Sequence, residues 1–456
     1  MTKFSKAKIV SVSSEGELIC AASARLSTSE GNAAEILLRS GDSTRNNNLI
    51  RKVLSSGHRS VIEHAVFTIA FTNVSVYVEQ FFIESRLASF TVKSRRYVDF
   101  SSSGYYIPSQ LSKGANLAYT MFMDSAISGY KELLDLGIPK EDARFLLPYS
   151  FFSNFYCTMN ARELIKVINA IRCGRGQHSA ELQDLAEQLI QQLCELLPCI
   201  AEEFSDRETK KFAPAQCCNT TEFSYKAIGE VNLVNYTQNP ESILQLALTS
   251  AGMPDLSLVE LVRDQRPRAL EHLNYSFILK DITLAGITHL VRHRMQSVIV
   301  PPLEQALMSR RIVRPKSIND NAEAGEIYTQ TIYMCDALYV RAMQFSELTQ
   351  YAMYFALSGN LLDVMVTMNA RELLLFSSLR TCTRAQWEIR AIAENMLKKL
   401  RENFSELFKY YGPSCYILGK CPEGKMCCGR QQEMQNKFGV PLSKTSYFQE
   451  DKTIST

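Results

Sequence analysis

The chain repeats itself. VIEHAVFTIAF (61–71) aligns with ALEHLNYSFIL (269–279), setting Glu63-His64 over Glu271-His272 at an offset of 208 residues. ESRLAS (84–89) falls on RHRMQS (292–297) at the same offset, and TMNARELIKVINAIR (158–172) falls on TMNARELLLFSSLR (367–380). The last pair begins at offset 209 and returns to 208 at Arg172 and Arg380, so the first copy carries one extra residue between Asn160 and Arg172. On a helix, one residue rotates everything after it by about 100°.

A repeat this long is a domain and not a solenoid unit. The boundary belongs between FAPAQCCNTTEF (212–223) and VNLVNYTQNPESIL (231–244), which gives one domain over 1–226 and a second over 227–456. HAVFTIAFTNVSVYV alternates and is rich in β-branched and aromatic residues, as strands are. NARELLLFSSLR, AQWEIRAIAENMLKKLRENFSELF and AELQDLAEQLIQQLCELL have helical periodicity. The expected fold class is α+β, an antiparallel sheet with packed helices in each copy, the two copies pairing as a pseudo-dimer.

Composition narrows the function. A net charge of +3 on 456 residues leaves no general footprint for nucleic acid, so any bound anion must be held by a local cluster. No long uncharged apolar run or signal core appears, and 13 scattered Cys read as reduced thiols, so a cytoplasmic protein away from membranes is expected. The spacing of Cys415, Cys421, Cys427 and Cys428 is looser than usual zinc ligand pairs, so no metal is expected. Glu63-His64 and Glu271-His272 read as structural Glu–His pairs, and His289 and Trp387 as packing residues.

Basic clusters carry the chemistry. Arg292, His293 and Arg294 offer two guanidiniums around an imidazole, suited to phosphate oxygens and a flat ring. In KSRRYV and MSRRIV, Ser94 with Arg96 and Ser309 with Arg311 pair a hydroxyl with a guanidinium two residues on, a grip for one phosphate.

The set GHRSVIEHAVFTIAF, RHR-x-x-S, a following S-x-R, NAREL, LR…AQWEIR and the tail GPSC…GKCPEGKMCCG resembles the flavin-dependent thymidylate synthases, once per copy. That resemblance implies FAD as cofactor, NADPH and methylenetetrahydrofolate as co-substrates, and dUMP or a similar pyrimidine nucleotide as acceptor of a one-carbon unit at C5. It also implies sites where subunits meet, so that a homodimer of this double chain would imitate the family tetramer. By the same resemblance Arg292, His293, Arg294, His58, Ser60, Ser27, Asn160 and Asn369 contact the flavin. Ser94, Arg96, Arg144, Ser309 and Arg311 contact the nucleotide, and Arg380 faces the uracil.

The copies depart from the pattern in complementary ways. The first has Glu84 and Ser85 at the first two RHR positions, but keeps S-x-R-Y at the family spacing with Tyr97. The second keeps RHR, but VIVPPLE reads as a seven-residue insertion before its S-x-R, Ile312 replaces the tyrosine and Met353 replaces Arg144. Arg266 and Arg268 stand where the first copy has His58 and Ser60, and Val92 and Leu307 stand where the family has an amide or carboxylate. The leading expectation is methylation of dUMP in sites assembled from both copies. The alternatives are methylation of another pyrimidine nucleotide, and a flavin- or nucleotide-binding homologue without turnover.

Overall fold

The computed structural model describes residues 4–204, 224–226 and 229–439. Each copy builds one four-stranded antiparallel sheet. In the first, β1 (Lys6–Val12) is followed by α1 (Gly16–Leu26), α2 (Ser43–Ser55), β2 (Val66–Ser75), α3 (Val76–Ile83) and β3 (Ala88–Val92). Then come α4 (Lys113–Asp135), β4 (Phe152–Asn160), α5 (Ala161–Cys173) and α6 (Ala180–Leu196). The second copy runs β5 (Glu230–Tyr236), β6 (Asn274–Thr283), α7 (Leu284–Leu290), β7 (Gln296–Ile299), α8 (Ala322–Ala342), β8 (Leu361–Asn369), α9 (Ala370–Arg380) and α10 (Trp387–Asn403). The strand orders are β1-β2-β4-β3 and β5-β6-β8-β7, the same topology twice and the α+β class the periodicities indicate.

Local chemistry explains why the elements start where they do. Asn160 and Asn369 cap α5 and α9, their Oδ1 atoms accepting from Glu163 N at 2.9 Å and Glu372 N at 2.8 Å. Ser75 and Thr283 cap α3 and α7 likewise, accepting from Val78 N and Gly286 N. A buried carboxylate then ties each of these caps to a distant helix: Ser75 N donates to Glu181 of α6 at 2.8 Å, and Thr283 N to Glu388 of α10 at 2.6 Å. Gly286 has no room for a side chain, because a Cβ there would lie 2.7 Å from Glu388 Oε1.

The core of the first copy stacks Phe71 on Phe155, ring centres 4.3 Å apart, and buries Phe67, Phe82, Leu164, Ile168, Leu185 and Leu189. In the second copy Tyr275 packs against Phe404 and Phe408. Each fully buried aromatic of this kind contributes roughly 1.5–3 kcal/mol.

Two compact units divide the chain. One takes the described residues of 1–220 with Leu303–Met308 and Arg314–Asn360; the other takes those from 221 to Pro302, Ser309–Val313 and those from Leu361 onward. Units and copies are therefore different partitions, and the boundary at 226/227 expected from the sequence adjoins residues outside the described set. Within the first unit, α8 of the second copy lies along its own equivalent, α4. Gly129 permits that approach, since a Cβ there would lie 2.3 Å from Thr331 Oγ1. Tyr354, also from the second copy, donates to the buried Glu181 at 2.9 Å. Among the described residues no helix is long and apolar enough to cross a membrane, and the eleven cysteines are free thiols.

Candidate active site

In the second unit the segment between α7 and β7 exposes Arg292 and Arg294 and buries His293, because their side chains alternate across the turn. His293 Nδ1 lies 3.0 Å from Glu372 Oε1, on the first turn of α9, and Arg380 Nε, from the last turn of the same helix, donates to His293 Nε2 at 2.9 Å. A guanidinium only donates, so Nε2 must accept and the ring proton sits on Nδ1, donated to Glu372. The order Glu372, His293, Arg380 is thus a buried hydrogen-bonded chain that ends on an arginine. Arg380 Nη2 also donates to His289 O at 3.4 Å, and Phe376 meets the imidazole edge-on at 4.9 Å.

The resemblance places His293 against the flavin; in this structure its Nδ1 is bonded to Glu372 and its Nε2 to Arg380. Glu372 was not singled out from sequence; the signal was present in NAREL, whose glutamate lies one turn inside the helix that ends in Arg380.

Burial holds the His293 pKa below its ordinary 6.5; the hydrogen bond to Glu372 opposes this and the Arg380 charge reinforces it. A lowered folded pKa means the unfolded chain takes up a proton that the folded chain refuses. The stabilisation is present above the unfolded pKa and lost as pH falls through it toward the folded value. Urea unfolding should show the second unit weaker at about pH 5 than at about pH 7, and His293→Asn should flatten that difference. An equal loss in the variant would show that His293 is not the group responsible.

The first copy lacks this chain. Glu84 and Ser85 replace the first two RHR residues, and Glu84 pairs with Arg175, which itself lies over the Phe81 ring at 4.4 Å. Glu163, the equivalent of Glu372, accepts from Lys166 at 2.5 Å, and Arg172 reaches toward Glu187 of α6 at 3.8 Å. The extra residue has rotated Arg172 off the face that Arg380 uses.

The first copy instead builds a polar group around its S-x-R element. Just past β3, Ser94 Oγ accepts from Arg96 N at 3.3 Å, closing a tight turn. Arg96 Nε donates to Glu141 Oε2 at 2.9 Å, and the buried Arg144 donates through Nε to Glu141 O at 3.0 Å. Arg96 and Arg144 thus both bond Glu141, one at its carboxylate and one at its main-chain carbonyl. The residue between Ser94 and Arg96 anchors them: Arg95 is 5% exposed and donates to the buried Glu79 at 2.8 Å. Sequence spacing did not single out Glu79 or Arg95.

In the second copy Arg311 N donates to Ser309 Oγ at 3.4 Å, the same turn, but Arg311 Nη1 donates to Asp281 at 2.6 Å and to Asp363 at 3.0 Å. Between β7 and this turn the chain changes unit, Leu303–Met308 belonging to the first and Ser309–Val313 to the second. His58 and Ser60 are exposed at the start of a 3-10 segment after α2, and Ser27 is exposed at the C-terminus of α1. Asn160 and Asn369 are helix caps, as described above. The Glu–His pairs of the sequence reading are otherwise partnered: Glu63 binds Arg162 and Glu271 binds Arg371, so the ion pair joins the EH and NAREL motifs in both copies. Among the described residues no three His, Cys, Asp or Glu side chains converge as a metal site requires.

Comparison with known proteins agrees with this double construction. The model of the family described as thymidylate synthase complementing protein matches residues 8–199 and again 218–404. The chain belongs to that family. Curated relatives named flavin-dependent thymidylate synthase include one from Clostridium tetani, 28% identical over 242 residues, which span 46% of this chain and 96% of the relative. One from Geobacter sulfurreducens is 29% identical over 228 residues, 46% of this chain and 97% of the relative, and one from Sulfurisphaera tokodaii is 32% identical over 208 residues, 41% and 79%. Less than half of the chain thus accounts for nearly the whole of the first two relatives. A solved structure of a UMP/dUMP methylase from Streptomyces cacaoi bound with 5-Br dUMP is 26% identical, covers 44% of this chain and 94% of its own, and superposes with a TM-score of 0.38.

Proposed function

We propose that this family member is a flavin-dependent thymidylate synthase, transferring a one-carbon unit from methylenetetrahydrofolate to C5 of dUMP with NADPH as reductant. The observation that carries the reading is the buried Glu372–His293–Arg380 chain beside two exposed guanidiniums. An arginine aimed by a neutral imidazole suits a site where negative charge grows on a uracil ring.

The residues present fit a flavin in the second copy only. Arg292 and Arg294 are exposed and supply the forked donor set that a pyrophosphate accepts, whereas Glu84, at the equivalent place in the first copy, would repel it. In the first copy His58, Ser60 and Ser27 are exposed, and a bound flavin would supply hydride transfer from reduced nicotinamide. Arg96, exchanging Glu141 for a phosphate, together with Ser94 and Arg144, would hold a nucleotide phosphate in the first unit; in the second, Arg380 would stabilise negative charge on a uracil carbonyl as C5 becomes nucleophilic. A homodimer of the double chain would provide the subunit junctions.

Tritium release from C5-labelled dUMP, with NADPH and methylenetetrahydrofolate present, tests this reading, and release above background is the expected result. The unusual Val92 and Leu307 beside the S-x-R turns favour one second reading, a different pyrimidine nucleotide, which release from UMP but not dUMP would establish. A yellow protein that releases nothing from either would refute both.

A further inference from the structure

We propose that the second S-x-R element has become a structural ion triad, Asp281–Arg311–Asp363, so that each chain binds one nucleotide phosphate, at Ser94 and Arg96 of the first copy. This deepens the reading above and rests on it.

The two copies can be compared atom by atom at this place. Asn73 and Asp281, 208 residues apart, both adopt the left-handed conformation, with φ of 51° and 53°. Each donates its backbone N–H to a side-chain oxygen on the neighbouring strand, Asn73 to Asn154 at 3.0 Å and Asp281 to Asp363 at 3.1 Å. Both lie where the strand pairing shifts register, between Phe71 and Val74 against β4 and opposite Leu362 and Val364 in β8. The bond from the arginine N–H to the serine Oγ repeats as well, although Arg310 is left-handed, with φ of 47°, where Arg95 is not. At Asn73 and Asp281 the backbone device is the same and its charge differs.

Both amides of the first copy are carboxylates in the second, and both carboxylates bind the same Nη1 of Arg311. One guanidinium against two carboxylates leaves the triad net negative. Around Glu141, by contrast, one guanidinium, that of Arg96, meets one carboxylate, and Arg144 adds a second positive charge on the main-chain carbonyl of the same residue. Lys226 and Glu230 also act on Asp281, with opposite signs. Met353 stands where the first copy supplies Arg144, and Lys280 also acts on both carboxylates.

A phosphate dianion approaching Arg311 would have to displace two carboxylates or sit beside them, and like charges at such separations repel strongly. Withdrawing Arg311 would leave the partly buried Asp281 and the exposed Asp363 without the guanidinium they share. Arg311 is therefore held by its own chain, and the seven-residue insertion that moved its turn was free to do so because no ligand depended on it.

Equilibrium dialysis of labelled dUMP against the full-length protein tests the assignment. The expected result is one dUMP per chain, with binding roughly tenfold to a hundredfold weaker in Arg96→Ala, the loss of one charge-assisted phosphate contact. The neutral triple variant Arg311→Ala/Asp281→Asn/Asp363→Asn, checked for folding by circular dichroism, should match the wild type in both stoichiometry and affinity. Two dUMP per chain in the wild type, or lost binding in the folded triple variant, would overturn the assignment alone. No dUMP binding by the wild type would instead bring down the uridylate reading together with it.

Discussion

Replacing Arg380 by alanine should lower the rate of C5 tritium release about a hundredfold to a thousandfold, the range seen when one preorganised oxyanion donor is removed. The loss should fall on kcat more than on the affinity for dUMP, because the phosphate residues Ser94, Arg96 and Arg144 belong to a different cluster. Arg380→Lys should recover little, since an ammonium cannot keep its place on His293 Nε2 and present a second donor at the guanidinium's reach. Glu372 gives a finer test. Glu372→Gln retains an acceptor for the His293 Nδ1–H and should stay near wild type, whereas Glu372→Ala frees the imidazole to change tautomer and should release Arg380. A Glu372→Ala enzyme with unchanged kcat and an unchanged pH profile would show that the chain does not aim Arg380, whatever Arg380 itself does.

Much of this site was legible in the sequence, and the parts that were not have a common cause. The repeat and the α+β class follow from spacing, because helices and strands have fixed periods and a one-residue slip at Arg172 is visible in an alignment of the chain with itself. Arg380, Ser94, Arg96 and Arg144 were named by the resemblance. Partner choice was not legible. That His293 is turned inward with its Nδ1–H on Glu372 depends on a residue 79 positions away, and that Arg311 is neutralised depends on Asp281 and Asp363 converging from two strands. Similarly, Glu63 and His64 are adjacent in the chain, yet the carboxylate finds Arg162. Adjacency in sequence proposes a pair, but burial and the direction of each side chain decide it.

Glu79→Ala should destabilise the first unit by about 3–5 kcal/mol, a large share of what a domain has. Glu79 is fully buried and accepts from both Arg95 and Ser153, and removing it strands a guanidinium that is itself only 5% exposed. Arg95 is also the middle residue of the Ser94–Arg96 turn, so the same loss should loosen the phosphate grip. Stability and binding can be separated by removing both charges, because an apolar pair of similar size is often tolerated where a lone buried charge is not. Glu79→Leu/Arg95→Met should unfold in urea close to the wild type, yet bind dUMP more weakly, since nothing then pins the turn at its centre. If Glu79→Ala were to lose less than about 1 kcal/mol, the buried pair would be ordinary surface electrostatics in effect. The second copy supplies the internal contrast: Ile287 and Arg310 stand at the equivalent positions, so an apolar side chain replaces the carboxylate of Glu79, and there Arg311 is bound by Asp281 and Asp363.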